Sequence, residues 1–246
     1  FARQGFKTAA LFRVGTDSAG EDIVREVEKQ GIAAWAHTDS HEATGQSVIL
    51  LYPDGERIVL THRGAADSMS LRDVPFLKLQ AKWVYIASSR IDVRVLEAII
   101  DHCYGQGIAV AFNPSAAYCA DRGRLFKPLL SKIKVLITNR QEAGTITGGA
   151  FADLDELVDG MCVMTDGSRG VQVSDGNRIY SAEIFKDKNL VSRTGAGDAF
   201  GSGFVAGLIR KEDIAYAIRL ASANATAVTE HLGAHNGALT RAQFEK

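Results

Sequence analysis

The chain has 246 residues, 46% of them hydrophobic, which is enough for one large α/β domain with a full core. Its 28 basic and 29 acidic side chains leave a net charge of -1, so neither a nucleic-acid nor a polyanionic partner is expected and a neutral or lightly charged small molecule fits better. No apolar run approaches the roughly 20 residues that span a bilayer, no signal pattern opens the chain, and Cys103, Cys119 and Cys162 lack Cys-x-x-Cys spacing; a soluble, cytoplasmic protein with reduced, mostly buried thiols is expected.

In chain order, Phe1 to Phe6 reads as the end of a helix with a Gly5 stop, leading into a strand from Thr8 to Val14. Helical periodicity from Ser18 to Gln30 follows the capping cluster Thr16-Asp17-Ser18 and stops at Gly31. Ile32–His37, Gln46–Tyr52 and Arg57–His62 read as strands, the last two joined by the turn Pro53-Asp54-Gly55. A hairpin of that size cannot bury itself, so it is expected to lie as a lid over a ligand cleft, with an extension of the main sheet as the alternative.

From Trp83 the pattern alternates: strand Trp83–Ala87, helix Asp92–Gln106, strand Ile108–Phe112, helix Arg122–Leu130, then strands Val135–Thr138 and Met161–Thr165. That order predicts a mainly parallel sheet with helices on both faces. A stunted helix, Asp153–Asp159, is expected between the last two of these strands. Val171–Ser174 and Arg178–Ile184 form a second hairpin around Asp175-Gly176-Asn177, and helices Ala196–Arg210 and Glu212–Glu230 follow. Asn113, Asn139 and Asp166 all fall just past strands, on the carboxyl edge where such sheets bind ligands.

The most informative stretch is Thr194-Gly195-Ala196-Gly197-Asp198-Ala199-Phe200-Gly201. Small residues let backbone N–H groups approach an anion, the following helix points its positive end at the same spot, and Asp198 is delivered beside it. A glycine-rich cap with an acid in the first turn is the plainer alternative. The glycine spacing and its place late in the chain do not suit a dinucleotide fingerprint, and no Walker loop occurs.

This stretch, with Asn139-Arg140-Gln141-Glu142, Val163-Met164-Thr165-Asp166-Gly167-Ser168-Arg169-Gly170, Ala223-Asn224-Ala225 and Gly233-Ala234, resembles the ribokinase-like, or PfkB, family of carbohydrate kinases in order and rough spacing. Thr44-Gly45-Gln46-Ser47 through Arg57 resembles that family's lid, and Arg13 to Gly20 its early strand-to-helix turn. The resemblance implies one ribokinase-like three-layer α/β/α domain over 1–246, with a small β lid near 33–63 and a nucleotide-binding part near 135–246. It also implies that a first strand, carrying a sugar-holding Asp and a Gly-Gly-x-x-x-Asn segment, would precede Phe1, which leaves the acceptor site incomplete.

The function implied is phosphoryl transfer from ATP to a hydroxyl of a sugar or sugar-like molecule, with ATP and Mg²⁺ as cofactors. Asp198 would be the general base and the backbone of Gly195, Ala196 and Gly197 the anion hole. By the same resemblance Asn139 and Glu142 would organise Mg²⁺ through water, although the spacing also fits a capping box. Thr165, Gly167, Gly170 and Thr194 would hold nucleotide phosphates, Asn224 would line the adenine site, and Gly233 and Ala234 would lie beneath the base. Ser192 stands where the family usually has Asp, which weakens the expectation of a monovalent cation. Gln46, Arg57, His62 and Arg63 in the lid favour a polar acceptor over a nucleoside, and Arg63 could meet a sugar phosphate. A homodimer through the lid is implied by resemblance alone. A non-catalytic nucleotide-binding protein is the reading from a different class.

Overall fold

The computed structural model describes residues 1–52, 57–88, 90–149, 151–185 and 189–246. The N-terminal turn is a short 3-10 helix, Ala2–Gln4, closed by Gly5 at φ 84°. Strand β1 (Ala9–Gly15) then runs parallel to β2 (Ala33–Asp39), from Ala9 opposite Ala33 to Gly15 opposite Asp39. Helix α1 (Ser18–Lys29) crosses between them. Its cap, Asp17, does two jobs: Oδ1 accepts the Gly20 N–H at 2.9 Å, and the same carboxylate accepts from the Thr44 N–H and hydroxyl at 2.8 and 2.5 Å. Thr44 Oγ1 in turn accepts the Gly15 N–H. This knot ties the β1 turn to the root of the hairpin β3 (Gln46–Leu51) and β4 (Arg57–His62).

The two hairpin strands pair only with each other among the described residues, while the expected strand at Ile32–His37 belongs to the β1–β2 pair. The expected turn Pro53-Asp54-Gly55 lies outside the described residues.

The main sheet contains β5 (Trp83–Ser88), β6 (Ala109–Pro114), β7 (Val135–Asn139), β8 (Met161–Thr165), β9 (Val171–Ser174) and β10 (Ile179–Ala182). Their order is β10-β9-β8-β7-β6-β5, with β5 through β8 parallel and the last two antiparallel. Alternation along each strand divides the core. Val110, Phe112, Leu136, Cys162 and Met164 face one layer, against α2 (Val93–Gly105), α3 (Ala116–Phe126) and α4 (Arg140–Thr147). Ala111, Val135, Ile137 and Val163 face the other, against α6 (Ala196–Lys211) and α7 (Ile214–Thr229). Between α4 and β8 lies only the short α5 (Phe151–Asp155), and α8 (Arg241–Phe244) follows α7. The result is the expected α/β/α layering around a mainly parallel sheet.

Boundaries depart from expectation in several places. Helix α3 begins at Ala116, not Arg122, because Ser115 Oγ accepts the Tyr118 N–H at 3.2 Å and Tyr118 is driven into the core, stacked on Phe126. Pro128 has no N–H for the helical ladder, and the chain continues from Lys127 as a 3-10 turn to Lys132. The stunted helix before β8 runs from Phe151 to Asp155, and β10 stops at Ala182, two residues short.

Helices α6 and α7 meet through small residues: Gly203 and Gly207 lie against Ala221 and Ala217, where a side chain on either glycine would overlap the opposite backbone. All three cysteines are buried and unbridged, and burial pushes their thiols up, Cys103 to about 11 and Cys119 and Cys162 to about 12. Among the described residues no helix is long and apolar enough to cross a membrane.

Candidate active site

The carboxyl ends of β5 to β8 open onto a cavity of about 380 Å³. Ala87, Asn113, Thr138, Asn139 and Thr165 line it from the strand ends, Glu142 from α4, and Arg193, Gly195, Gly197 and Asp198 from the loop that opens α6. Residues from positions far apart in sequence converge here because a parallel sheet places every strand's carboxyl end on one rim.

The loop before α6 is fixed from behind. Val191 and Ser192 donate backbone N–H groups to the Thr229 carbonyl at 2.9 and 3.1 Å, and Ser192 Oγ accepts the Thr194 N–H and donates to Thr194 Oγ1. Ser192 is thereby buried in a local turn that fixes Thr194. Gly195 caps the helix at φ 80°, and a side chain there would overlap the Ala234 carbonyl. Both the dihedral and the contact demand glycine. The Ala196 N–H is taken by the Arg193 carbonyl at 3.3 Å, whereas those of Gly197 and Asp198 have no partner among the described residues. At the start of α6, then, the N–H groups of Gly197 and Asp198 are the ones left open, while that of Ala196 closes a turn.

Asp198 is exposed to the cavity, and the protein gathered around it still desolvates its carboxyl enough to raise it above the usual range. Below it lies the hydroxyl of Tyr85, which donates to Asn113 Oδ1 at 3.4 Å and occupies the space that a Gly201 side chain would fill. Burial, reinforced by the charge of Asp198, holds this phenol protonated. Asn113 is oriented a second time by Nδ2 donating to the Ile137 carbonyl at 2.8 Å. Tyr85 was not among the residues singled out in the sequence. Its only signal there is indirect, a glycine inside an apolar helix at a cost of about 1 kcal/mol relative to alanine, which marks a close approach.

Asn139 and Glu142 form a capping box: Asn139 Oδ1 accepts the Glu142 N–H at 2.9 Å and Glu142 Oε2 accepts the Asn139 N–H at 2.8 Å. The Ala116 backbone donates to the same carboxylate. Burial raises the Glu142 carboxyl despite these bonds, with the charge of Asp198 acting in the same direction. Both residues still line the cavity. Among the described residues no group of three His, Cys, Asp or Glu side chains could hold a metal ion. One carboxylate and one amide on a cavity wall fit Mg²⁺, which keeps several waters and takes its remaining ligands from phosphates.

A second cavity, about 350 Å³, shares Asn139 and Thr165 with the first and is completed by Arg140, Gln141, Asp166, Gly167 and Arg169. Here a 3-10 turn, Gly167–Arg169, is closed by the Asp166 N–H donating to the Gly170 carbonyl at 2.8 Å. Gly167, at φ 54°, borders the cavity; Gly170 does not, and its bare Cα face instead admits the Ala182 carbonyl. Asp166 accepts from Arg169 Nε and Nη2, both at 2.8 Å, and from Arg140 Nε at 2.5 Å. Arg169 foremost, with Arg140, holds its carboxyl at about 2.

Asn224 lines neither cavity. Its Nδ2 donates to the Ala199 carbonyl at 2.7 Å and its Oδ1 accepts the Leu239 N–H at 2.8 Å, so the amide staples α6 and the C-terminal segment to α7. Ala234 is brought against Gly195, and Gly233, at φ 101°, turns the chain into it. Arg63 is engaged with Asp67 at 3.8 Å.

The chain matches the pfkB family of carbohydrate kinases over residues 1–241. It is 25% identical to an uncharacterized sugar kinase of Archaeoglobus fulgidus, over 96% of each chain. To the cytidine kinase of Thermococcus kodakarensis it is 29% identical, over 75% of this chain and 68% of that one. A putative ribokinase II from E. coli, solved with ATP and Mg²⁺, superposes with a TM-score of 0.87 over 99% of this chain and 83% of the other at 17% identity. Full-length similarity and the shared fold place this chain in the pfkB family, as a ribokinase-like carbohydrate kinase.

Proposed function

We propose that the chain transfers the terminal phosphoryl group of ATP to a hydroxyl of a sugar or sugar-like small molecule, with Asp198 as general base. The observation that carries this reading is the placement of Asp198 at the amino end of α6, in one cavity with Glu142 and Asn139. A carboxyl raised by desolvation is a better proton acceptor than an ordinary one. It takes the proton from the acceptor hydroxyl as that oxygen attacks. The N–H groups of Gly197 and Asp198 meet the charge that develops on the transferred group. Bound Mg²⁺, held through water by Glu142 and Asn139, would neutralise charge on the phosphates. Thr165, Gly167 and Thr194 border or support the phosphate side; Gly233 and Ala234 lie on the side proposed for the base. Asn224 and Gly170 line neither cavity and hold backbone around the site.

The test is nucleotide consumption against a panel of sugars, sugar phosphates and nucleosides. Asp198→Asn is expected to abolish transfer and keep nucleotide binding; turnover equal to wild type refutes the base assignment.

A nucleoside acceptor is the second reading, and the hairpin favours it. Val48 pairs with Leu60 and Leu50 with Ile58 on one face, all exposed, so this face offers apolar cover for a planar base. Of the polar residues that argued for a sugar, Gln46 and His62 stand opposite each other at the hairpin root, at the end of this same apolar face, and Arg63 has Asp67 at 3.8 Å. On the opposite face Ile49 and Val59 are also exposed, which supports pairing of two hairpins in a homodimer.

A further inference from the structure

Beyond the backbone cradle and the base, Arg140, Asp166 and Arg169 form a charged group with no role in the reaction so far described. Two guanidiniums share one carboxylate, leaving a net charge of +1 at the second cavity. Arg169 grips both oxygens of Asp166 in a fork. Arg140 is different: only its Nε is used, and Nη1 and Nη2 have no partner among the described residues. A guanidinium has five N–H donors, so four remain on a side chain already oriented by its one bond. The rest of the wall is Asn139, Gln141, Thr165 and Gly167, with no carboxylate besides the saturated Asp166.

Such a wall selects an anion with several oxygens. Because Asn139 and Thr165 belong to both cavities, the anion is one whose far end lies beside Asp198. We propose that Arg140, aimed by Asp166 and assisted by Arg169, grips the inner phosphates of the donor nucleotide, the part of the chain that lies short of the phosphoryl group beside Asp198. This rests on the reading of the first cavity as the transfer site. Asp166 is a positioning residue, since it acts only through the arginines.

Calorimetric titration with adenosine, ADP and a non-hydrolysable ATP analogue tests it, on the full chain with Tm measured for each variant. For Arg140→Ala, affinity for the ATP analogue and for ADP is expected to fall about tenfold or more and that for adenosine not at all; Arg140→Lys restores part of the loss. The salt dependence of ATP-analogue binding should become shallower in Arg140→Ala and Arg169→Ala. Asp166→Asn is expected to weaken triphosphate binding although it adds positive charge. Tighter binding in Asp166→Asn overturns the positioning role. Wild-type ATP-analogue binding with unchanged affinity in both arginine variants overturns the clamp alone, whereas a wild-type chain that binds no nucleotide overturns the clamp and the proposed function together.

Discussion

Glu142 and Asp198 line one cavity, and the charge of Asp198 adds to burial in raising the Glu142 carboxyl. Two carboxylates held above their ordinary range in a shared space attract positive charge, which here would come with the nucleotide's metal. For Asp198 the same shift sets a pH dependence. Its folded value exceeds its unfolded one, so its contribution to stability is present below the ordinary carboxylate range and is lost as pH rises through the raised folded value. Activity runs the other way, because the base must be ionised. The rate of transfer is expected to fall on the acid side with an apparent pKa above that of a free Asp. Asp198→Asn should cut kcat by about 10³-fold and raise Tm at neutral pH, since it removes a desolvated charge. A lowered Tm in Asp198→Asn would show that the carboxylate is held by favourable bonds instead.

Glu142 has a structural duty besides the proposed metal one, and two substitutions separate them. Glu142→Gln keeps an acceptor for the Asn139 N–H but loses the charge, so Tm should change little while the Mg²⁺ concentration for half-maximal rate rises several-fold. Glu142→Ala also breaks the capping box, adding a loss of about 1 kcal/mol in denaturant unfolding. Equal Mg²⁺ titrations for wild type and Glu142→Gln would leave only the cap.

Acid stability should follow a different set of groups. Asp39 is held at about 2, first by the His41 N–H and Ser68 hydroxyl and then by Glu42 and Arg13; Asp166 is held at about 2 by its two arginines. Lowered carboxyls stabilise the fold above their unfolded values and lose that contribution as pH falls through the folded ones. Unfolding followed by circular dichroism should therefore steepen between about pH 4 and 2, and Asp39→Asn should flatten that part of the curve. A curve unchanged by Asp39→Asn removes Asp39 from the acid transition.

The sheet from Trp83 onward was legible because each apolar run is bounded by residues that stop a strand or cap a helix, and the α6 turn because its chemistry is contiguous in sequence. What escaped depends on contacts between distant positions. Arg140 meets Asp166 only because β7 and β8 align Asn139 with Thr165, so the next residue of each strand falls side by side. The start of α3 escaped because Ser115-Ala116-Ala117 carries no apolar period and the helix is set by Tyr118 entering the core. Asn224 was legible as important. Its chemistry was not, since a buried amide reads alike whether it faces a base or two backbone groups.

Tyr85 and Gly201 are complementary in shape, and that pairing can be tested by exchange. A methyl at Gly201 would overlap the Tyr85 hydroxyl, so Gly201→Ala should cost about 1–3 kcal/mol by overpacking. Tyr85→Phe removes the oxygen and costs about 1 kcal/mol for the bond to Asn113. The double variant should be more stable than the sum of the two losses by about 1 kcal/mol, read from denaturant midpoints. Strict additivity would mean that the methyl is accommodated elsewhere.

Asn224→Ala leaves the Ala199 carbonyl and the Leu239 N–H without the amide that joins them. With both partners on buried or half-buried backbone, the loss should be about 2 kcal/mol, or roughly 4–8 °C in Tm for a domain of this size. If the amide acts only as this staple, the KM for ATP should change little once the variant is assayed well below its Tm. A KM for ATP raised tenfold under those conditions, with Tm unchanged, would instead put the side chain against the nucleotide and require the amide to swing away from Ala199.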